Sequence, residues 1–185
     1  MSERILTAEM TRKSLINYIL GDFILMALWG LVLTPAVLAS QSTTFWLFPL
    51  WFYMSLCLLA YLIPKPKAGA HLLGSKESAK WFITFQFGRL WTFPPIRHLI
   101  FSFVILRTLF LRCSGARVSM NIGWSTLSTL SDPSFVEIES DVVIGIQSLI
   151  SGHTIIGGKL YLGKIRIRRG ALVAAGCAIG PNCEV

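Results

Sequence analysis

Charge is what this sequence has least of. Only 14% of its 185 residues are Asp, Glu, Lys or Arg, nine acidic against 17 basic, while 54% are hydrophobic and the mean hydropathy is +0.63. So small a polar supply argues against an ordinary water-facing surface and points to a membrane protein. The net charge of +8 would suit nucleic acid. However, the Lys and Arg residues are dispersed among Trp and Phe instead of gathered on a polar face, so membrane lipid is the expected partner and nucleic acid is not. Cysteine is sparse too. Cys57, Cys113, Cys177 and Cys183 form no CxxC and keep no His/Cys ligand spacing, which argues against a metal site and for reduced thiols in apolar surroundings. A cleavable signal is also lacking, because the first apolar run is too long for an h-region and no small-residue cleavage site follows it.

What is present comes in three textures. From Leu15 to Ala39 the chain runs 25 residues with a single charge, Asp22, and from Phe45 to Ile63 a further 19 apolar residues. Each run is long enough for a hydrocarbon core of about 30 Å. With the uncharged linker Ser40 to Thr44 they read as a transmembrane helical hairpin, residues 1–64, in which Pro35 and Pro49 kink or end the helices. Arg4, Arg12 and Lys13 before the hairpin and Lys65 and Lys67 after it put both termini in the cytoplasm, in a multi-pass protein of the inner membrane. Asp22 reads as a residue near the headgroups. A single intramembrane charge argues against a channel or transporter. Residues 65–114 form the second texture. "WFITFQFGRLWTFPPIRHLIFSFVILRTLFLR", Trp81 to Arg112, is aromatic-rich but broken by Arg and Pro, as amphipathic helices lying along a membrane surface would be. His71 and His98 have no visible partner.

The third texture, residues 115–185, is periodic. Ile138, Ile144, Ile150, Ile156 and Leu162 recur every six residues, and Ile167, Val173, Ile179 and Val185 continue the period after a slip of one. The next residue is often small (Gly145, Ser151, Gly157, Gly163, Ala174, Gly180), so each step pairs a buried aliphatic with a tight turn. Six-residue spacing suits neither an α-helix nor a hairpin. It suits a parallel β-helix, with Ile150 and Ile156 as consecutive interior rungs and His153 pointing outward between them.

On "IGWSTLSTLSDPSFVEI", "VVIGIQSLISGH" and "IRIRRGALVAAGCAIGPNCEV", this region resembles the hexapeptide-repeat, left-handed β-helix acyltransferases. "LRTLFLRCSGARVSMNIG" leading to "SDPSFVEIESDVVIG" is similar to membrane-associated members, including the C-terminal acyltransferase-like domains of some peptide synthetases. The resemblance implies a homotrimer with sites between neighbouring β-helices. It also implies acyl-CoA or an acyl carrier protein as co-substrate, no bound cofactor, and His153 as the catalytic base. Imidazole can take a proton from a hydroxyl or amine at neutral pH, so the acceptor would attack the thioester directly, with backbone N–H groups stabilising the oxyanion.

Asp132, in "SDPSF", would either fix the His tautomer, hold the acceptor or simply start a turn. Arg166, Arg168 and Arg169 would pair with CoA phosphates or a phosphopantetheine arm, or else form a solvated face near anionic lipid. Ala174, Ala175 and Gly176 would let a pantetheine arm approach the backbone, although the coil itself also demands small turn residues.

Three features depart from the family pattern. Glu139, Arg168 and Ala174 stand where glycine is usual, the phase slips between Leu162 and Ile167, and "GPNCEV" falls inside a coil, so that either a partner covers this end or the chain is truncated. The expected fold is thus mixed: a transmembrane hairpin and interfacial helices followed by a short left-handed β-helix. The expected function is acyl transfer, of acetyl in the first instance, to a hydroxyl or amine of a lipid-linked or surface-polymer acceptor. The rival reading is a non-catalytic membrane assembly module, with the β-helix as oligomerisation scaffold and His153 as a corner residue.

Overall fold

The computed structural model describes residues 20–21, 23–38, 47–125 and 127–185. Asp22, the linker Ser40 to Thr44 and the basic residues before the first apolar run lie outside them. Helix α1 (residues 23–38) and helix α2 (Phe48–Leu62) stand where the membrane hairpin was expected. Pro49 does not kink α2 but occupies its first turn, where a missing N–H costs nothing, and Pro64 follows its last turn. Fifteen residues at 1.5 Å each give α2 a length of about 22 Å, short of a ~30 Å hydrocarbon core. No helix among the described residues is long and apolar enough to cross a membrane. The expectations of a transmembrane hairpin and of a multi-pass inner-membrane protein with cytoplasmic termini are corrected accordingly. One face of each helix packs inward: Leu28, Val32 and Ala36 of α1, and Phe52, Leu56 and Ala60 of α2, are buried in a core shared with the rest of the chain, while Phe23, Met26 and Leu31 of α1 and Met54, Leu58 and Tyr61 of α2 are exposed.

The aromatic segment forms α3 (Lys76–Trp91), α4 (Pro94–Ser102) and α5 (Val104–Cys113). Ser75 caps α3 by accepting from the Ser78 N–H, and Glu77 sits in its positive first turn. Two prolines open α4. Trp91, Ile100, Phe101 and Phe110 are buried against protein.

Short parallel strands follow. These are β2 (Arg117–Val118), β3 (Ile122–Trp124), β4 (Thr129–Leu130), β5 (Val136–Ile138), β6 (Val142–Ile144) and β7 (Leu149–Ile150), then β10 (Ile165–Ile167), β11 (Leu172–Val173) and β12 (Ala178–Ile179). They form three separate sheets ordered β10-β5-β2, β11-β6-β3 and β12-β7-β4. A fourth sheet is antiparallel, with β1 (Gly69–Leu72) added to a hairpin of β8 (His153–Ile156) and β9 (Lys159–Leu162). The expected left-handed β-helix is therefore corrected to a mixed fold which, among the described residues, has five α-helices and four small three-stranded sheets. The physical reasons are that the hairpin interrupts the repeat and that helices supply much of the core.

The aliphatic positions themselves stack in register: Val118, Ile138 and Ile167 in one sheet, Ile144 and Val173 in the next, Leu130, Ile150 and Ile179 in the third. Ile156 and Leu162 do not continue the series. Gly157 and Gly158, at φ 56° and 73°, make the two-residue turn of the hairpin, which leaves Ile156 64% exposed and sends Leu162 into a smaller core with Trp81, Phe135 and Leu160. The phase slip in the sequence is this insertion. The tight turns also lie elsewhere than expected. Left-handed backbone occurs three residues after Ile138, Ile144, Ile167, Val173 and Ile179, at Asp141, Gln147, Gly170, Gly176 and Asn182. Two of the glycines directly after an aliphatic answer to close approach instead. At Gly145 an added Cβ would lie 2.6 Å from the Ala175 backbone N, and at Gly163 it would lie 2.4 Å from Asn182 Oδ1.

Helix α5 closes the first edge of these sheets. Arg107 donates to the Ile122 carbonyl at 2.9 Å, and Arg112 donates twice to Val118 O at 2.8 and 3.1 Å. Edge carbonyls that would otherwise be open to another chain are thereby satisfied.

Candidate active site

His153 opens β8, and the antiparallel sheet fixes its place. β1 pairs with β9, β9 pairs with β8, and α3 starts directly after β1, so the same sheet that carries His153 also carries the helix covering it. Asp132 follows β4 and precedes a 3-10 turn, Pro133–Phe135, closed by the Phe135 N–H donating to the Asp132 carbonyl at 3.1 Å. The two strand ends meet because residue 152 is glycine. A Cβ there would stand 2.9 Å from that of Phe135 and 3.2 Å from that of Asp132.

The result is a dyad. His153 Nδ1 lies 2.6 Å from Asp132 Oδ2, with side-chain exposures of 19% and 2%. The other carboxyl oxygen, Oδ1, accepts from the indole N–H of Trp81 at 3.1 Å. Trp81 also packs on the imidazole at 4.8 Å between ring centroids, and Phe85, one turn along α3, meets it edge-on at 6.2 Å. Ser151 Oγ stands 3.2 Å from Nδ1 and donates to the His153 carbonyl. A carboxylate only accepts, so the proton in the Asp132 contact is carried by Nδ1, and Nε2 is left with its lone pair free to take another. His153 is not the outward corner residue of the sequence reading. It is a half-buried base whose tautomer is set by a buried acid.

Of the readings open for Asp132, the geometry brings forward tautomer control. Trp81, Phe85 and Ser151 are the residues that sequence reasoning missed. The only sequence signal was the four-residue spacing of Trp81 and Phe85, which puts both on one helix face, but nothing local announces what that face covers.

The arginines are elsewhere. Arg166 and Arg168 project from β10 and its end on the outer face of the first parallel sheet. Arg168 pairs with Glu139 at 3.0 Å and Glu184 at 2.7 Å, and Arg166 with Glu137 and Glu184, each at 3.8 Å. The Arg169 backbone N–H donates to Glu139 Oε2 at 2.9 Å. These hydrogen bonds to Arg168 hold the Glu139 and Glu184 carboxyls below their ordinary value and raise Arg168. The cluster is an exposed, charge-matched ladder, and none of these contacts reaches the dyad. Ala175 sits in an exposed turn between β11 and β12, beside Gly145, and is not brought to His153 either. His71 Nε2 meets the Lys67 carbonyl at 2.8 Å, and His98 is exposed on α4.

The four thiols are free, Cys57 buried and Cys177 and Cys183 exposed; burial pushes Cys57 up to about 11. No group of three His, Cys, Asp or Glu among the described residues is placed to hold a metal ion.

Next to the dyad, between α3 and β4, lies a cavity of about 240 Å³ lined by Phe85, Gly88, Arg89, Thr92, Thr129, Leu130 and Ser131. Phe85, which meets the imidazole edge-on, is one of its walls, and Ser131 precedes Asp132. Comparison with known proteins yields no relative: no family model matches the chain, no curated protein matches it and no solved structure matches it.

Proposed function

We propose that the protein is an acyltransferase that moves an acyl group from a thioester donor, acyl-CoA or an acyl carrier protein, to a hydroxyl or amine acceptor, with His153 as general base. The observation that carries this reading is the buried Asp132–His153 pair, which leaves Nε2 as the proton acceptor. The resemblance of the repeat motifs to hexapeptide acyltransferases supplies the reaction class.

The step balances with this chain's own groups. Nε2 takes the acceptor's proton while the acceptor oxygen or nitrogen bonds to the thioester carbonyl carbon. Collapse of the tetrahedral adduct breaks the carbon–sulfur bond, and the thiolate leaves with the proton returned from the imidazolium. Asp132 stabilises the transient positive charge on the ring, as a buried carboxylate at Nδ1 does in hydrolytic triads. Among the described residues no serine or cysteine side chain is hydrogen-bonded to Nε2, so the acceptor itself is the nucleophile in this scheme.

The test is release of free thiol from acetyl thioesters by the purified full chain, with and without hydroxyl and amine acceptors. Acceptor-dependent thiol release that is lost in His153→Asn is the expected result. Equal release by wild type and His153→Asn would leave the dyad a structural strut and favour the scaffold reading.

A further inference from the structure

Glycine 88 has no conformational excuse. Glycine is among the poorest helix formers, yet Gly88 sits inside α3 with an ordinary helical backbone; among the described residues, left-handed φ occurs at other glycines. Nor does close packing require it. A Cβ built there would meet nothing within 4 Å, unlike Gly152 or Gly145, where protein atoms stand within 3 Å. Among the described residues, nothing fills the space beside Gly88. It is part of the 240 Å³ cavity between α3 and β4.

The exposed surface of that cavity is chiefly apolar, and two of its polar groups are already engaged. Leu130 forms the buried base, and Phe85 is shared with the dyad. Thr92 Oγ1 donates to the Gly88 carbonyl at 2.7 Å, and the Ser131 N–H donates to Ile150 O at 2.9 Å. Arg89, the one charged lining residue, is exposed and reaches Gln86. Such walls solvate a hydrocarbon chain and offer little to a sugar or a phosphate. At 240 Å³ the cavity lies below the ~300 Å³ lower edge of ordinary small-molecule sites. It equals about eight water volumes of ~30 Å³. It holds a short segment of a ligand, not a whole one.

We infer that this cavity binds a short aliphatic chain attached to the group reacting at His153, and that Gly88 sets the length accepted. The inference rests on the acyl-transfer reading only for the identity of the reacting group. The chain belongs either to the acyl moiety of the donor or to the acceptor, and the apolar chemistry is the same in both.

Binding is measured without turnover by fluorine NMR on the purified full chain, with two probes: 6,6,6-trifluorohexan-1-ol, which resembles an acceptor, and the N-acetylcysteamine thioester of 6,6,6-trifluorohexanoic acid, which resembles a donor. Saturable binding of at least one probe is expected, and the tighter one identifies which substrate supplies the chain. Gly88→Leu should weaken that binding at least tenfold. Gly88→Ala, which suits the helix better than glycine, should weaken it two- to threefold at an unchanged or higher melting temperature, so loss of fold is not the cause. His153→Asn should bind the probe as wild type does. Absence of saturable binding by either probe, or equal binding by wild type, Gly88→Ala and Gly88→Leu, overturns the inference. Should the probe respond to Gly88 while His153→Asn transfers acyl groups as fast as wild type, the catalytic proposal fails and the chain pocket stands.

Discussion

Two regions of the same sheet-forming segment treat charge in opposite ways. In the parallel strands, acids and bases line an outer face and pair along the strand stack: Arg117 beside Glu137, Glu137 beside Arg166, Arg166 bridged to Glu184. Where the inserted β8–β9 hairpin meets the turn after β4, one base of the hairpin and one acid of the turn lie under a tryptophan, and the acid has only 2% of its side chain exposed. Both are carboxylates facing a nitrogen base across strands. The difference is desolvation. Exposed pairs are screened and cost side-chain freedom, whereas a buried carboxylate must find every hydrogen bond it needs and so fixes the geometry around it. An oriented imidazole arises in the second setting and not in the first.

That contrast can be tested from its strongest term downward. His153→Asn should lower acyl transfer by about 10² to 10⁴-fold, the range of a positioned general base. Asp132→Asn should fall in the same range by offering His153 the wrong hydrogen-bond partner. Thiol-release kinetics measure both, and circular dichroism should show the fold retained.

Next come two positions that the six-residue period treats as equivalent. Ile150 is fully buried and Ile156 is 64% exposed. Ile150→Ala should cost about 2–5 kcal/mol in urea unfolding, and Ile156→Ala less than about 0.5 kcal/mol; equal losses would contradict the hairpin insertion.

Trp81→Phe keeps a ring over His153 but removes the N–H to Asp132, a hydrogen bond to a charged group worth about 2 kcal/mol. A drop of roughly thirtyfold in transfer is expected if the whole of it is lost in the transition state. It should come with a displaced pH–rate profile, because the substitution acts through Asp132 and not on the substrate.

The smallest effect belongs to the outer ladder. Arg168→Ala should leave transfer unchanged and move the thermal midpoint only slightly, with even that removed by molar salt. Its pH dependence has a definite sign. Glu139 and Glu184 are held below the ordinary 4.5 by the Arg168 hydrogen bonds. Their stabilising contribution is therefore complete above pH 4.5 and is lost as the pH falls through the lowered values. Acid melts of wild type and Arg168→Ala should converge below that point and differ above it.

Much of the stacked interior was legible without coordinates. Ile138, Ile144, Ile150, Ile167, Val173 and Ile179 all lie in the core and pair in register, because a repeat places a side chain by its phase alone. The same rule misled at Ile156 and Leu162. Gly157 and Gly158 there form a hairpin turn, and a run that keeps its period can still leave the stack when the chain reverses. Hydropathy misled at α1 and α2 for a related reason. An apolar stretch does not say which side chains are covered: Leu28, Val32, Leu56 and Ala60 pack against other parts of the chain, whereas Met26, Leu31, Met54 and Leu58 on the same helices are exposed.

The candidate site was half legible. His153 and Asp132 each stood out singly by residue type and motif. Their 2.6 Å contact did not, nor did Trp81, which bonds to Asp132 from 51 positions away. The arginine cluster was visible as charge, but its neutralisation by Glu137, Glu139 and Glu184 depends on strand register that a charge count does not contain.

By itself, then, the sequence determined the periodic aliphatic interior at Ile138, Ile144, Ile150, Ile167, Val173 and Ile179, and the side-chain chemistry of Asp132 and His153. Each of these depends on spacing along the chain or on side-chain chemistry alone. Tertiary structure decided which apolar segments bury each other, where the repeat is interrupted, and that a tryptophan from a preceding helix locks Asp132 against His153. Those are contacts between distant segments, and their energy exists only once the chain has closed the loops between them.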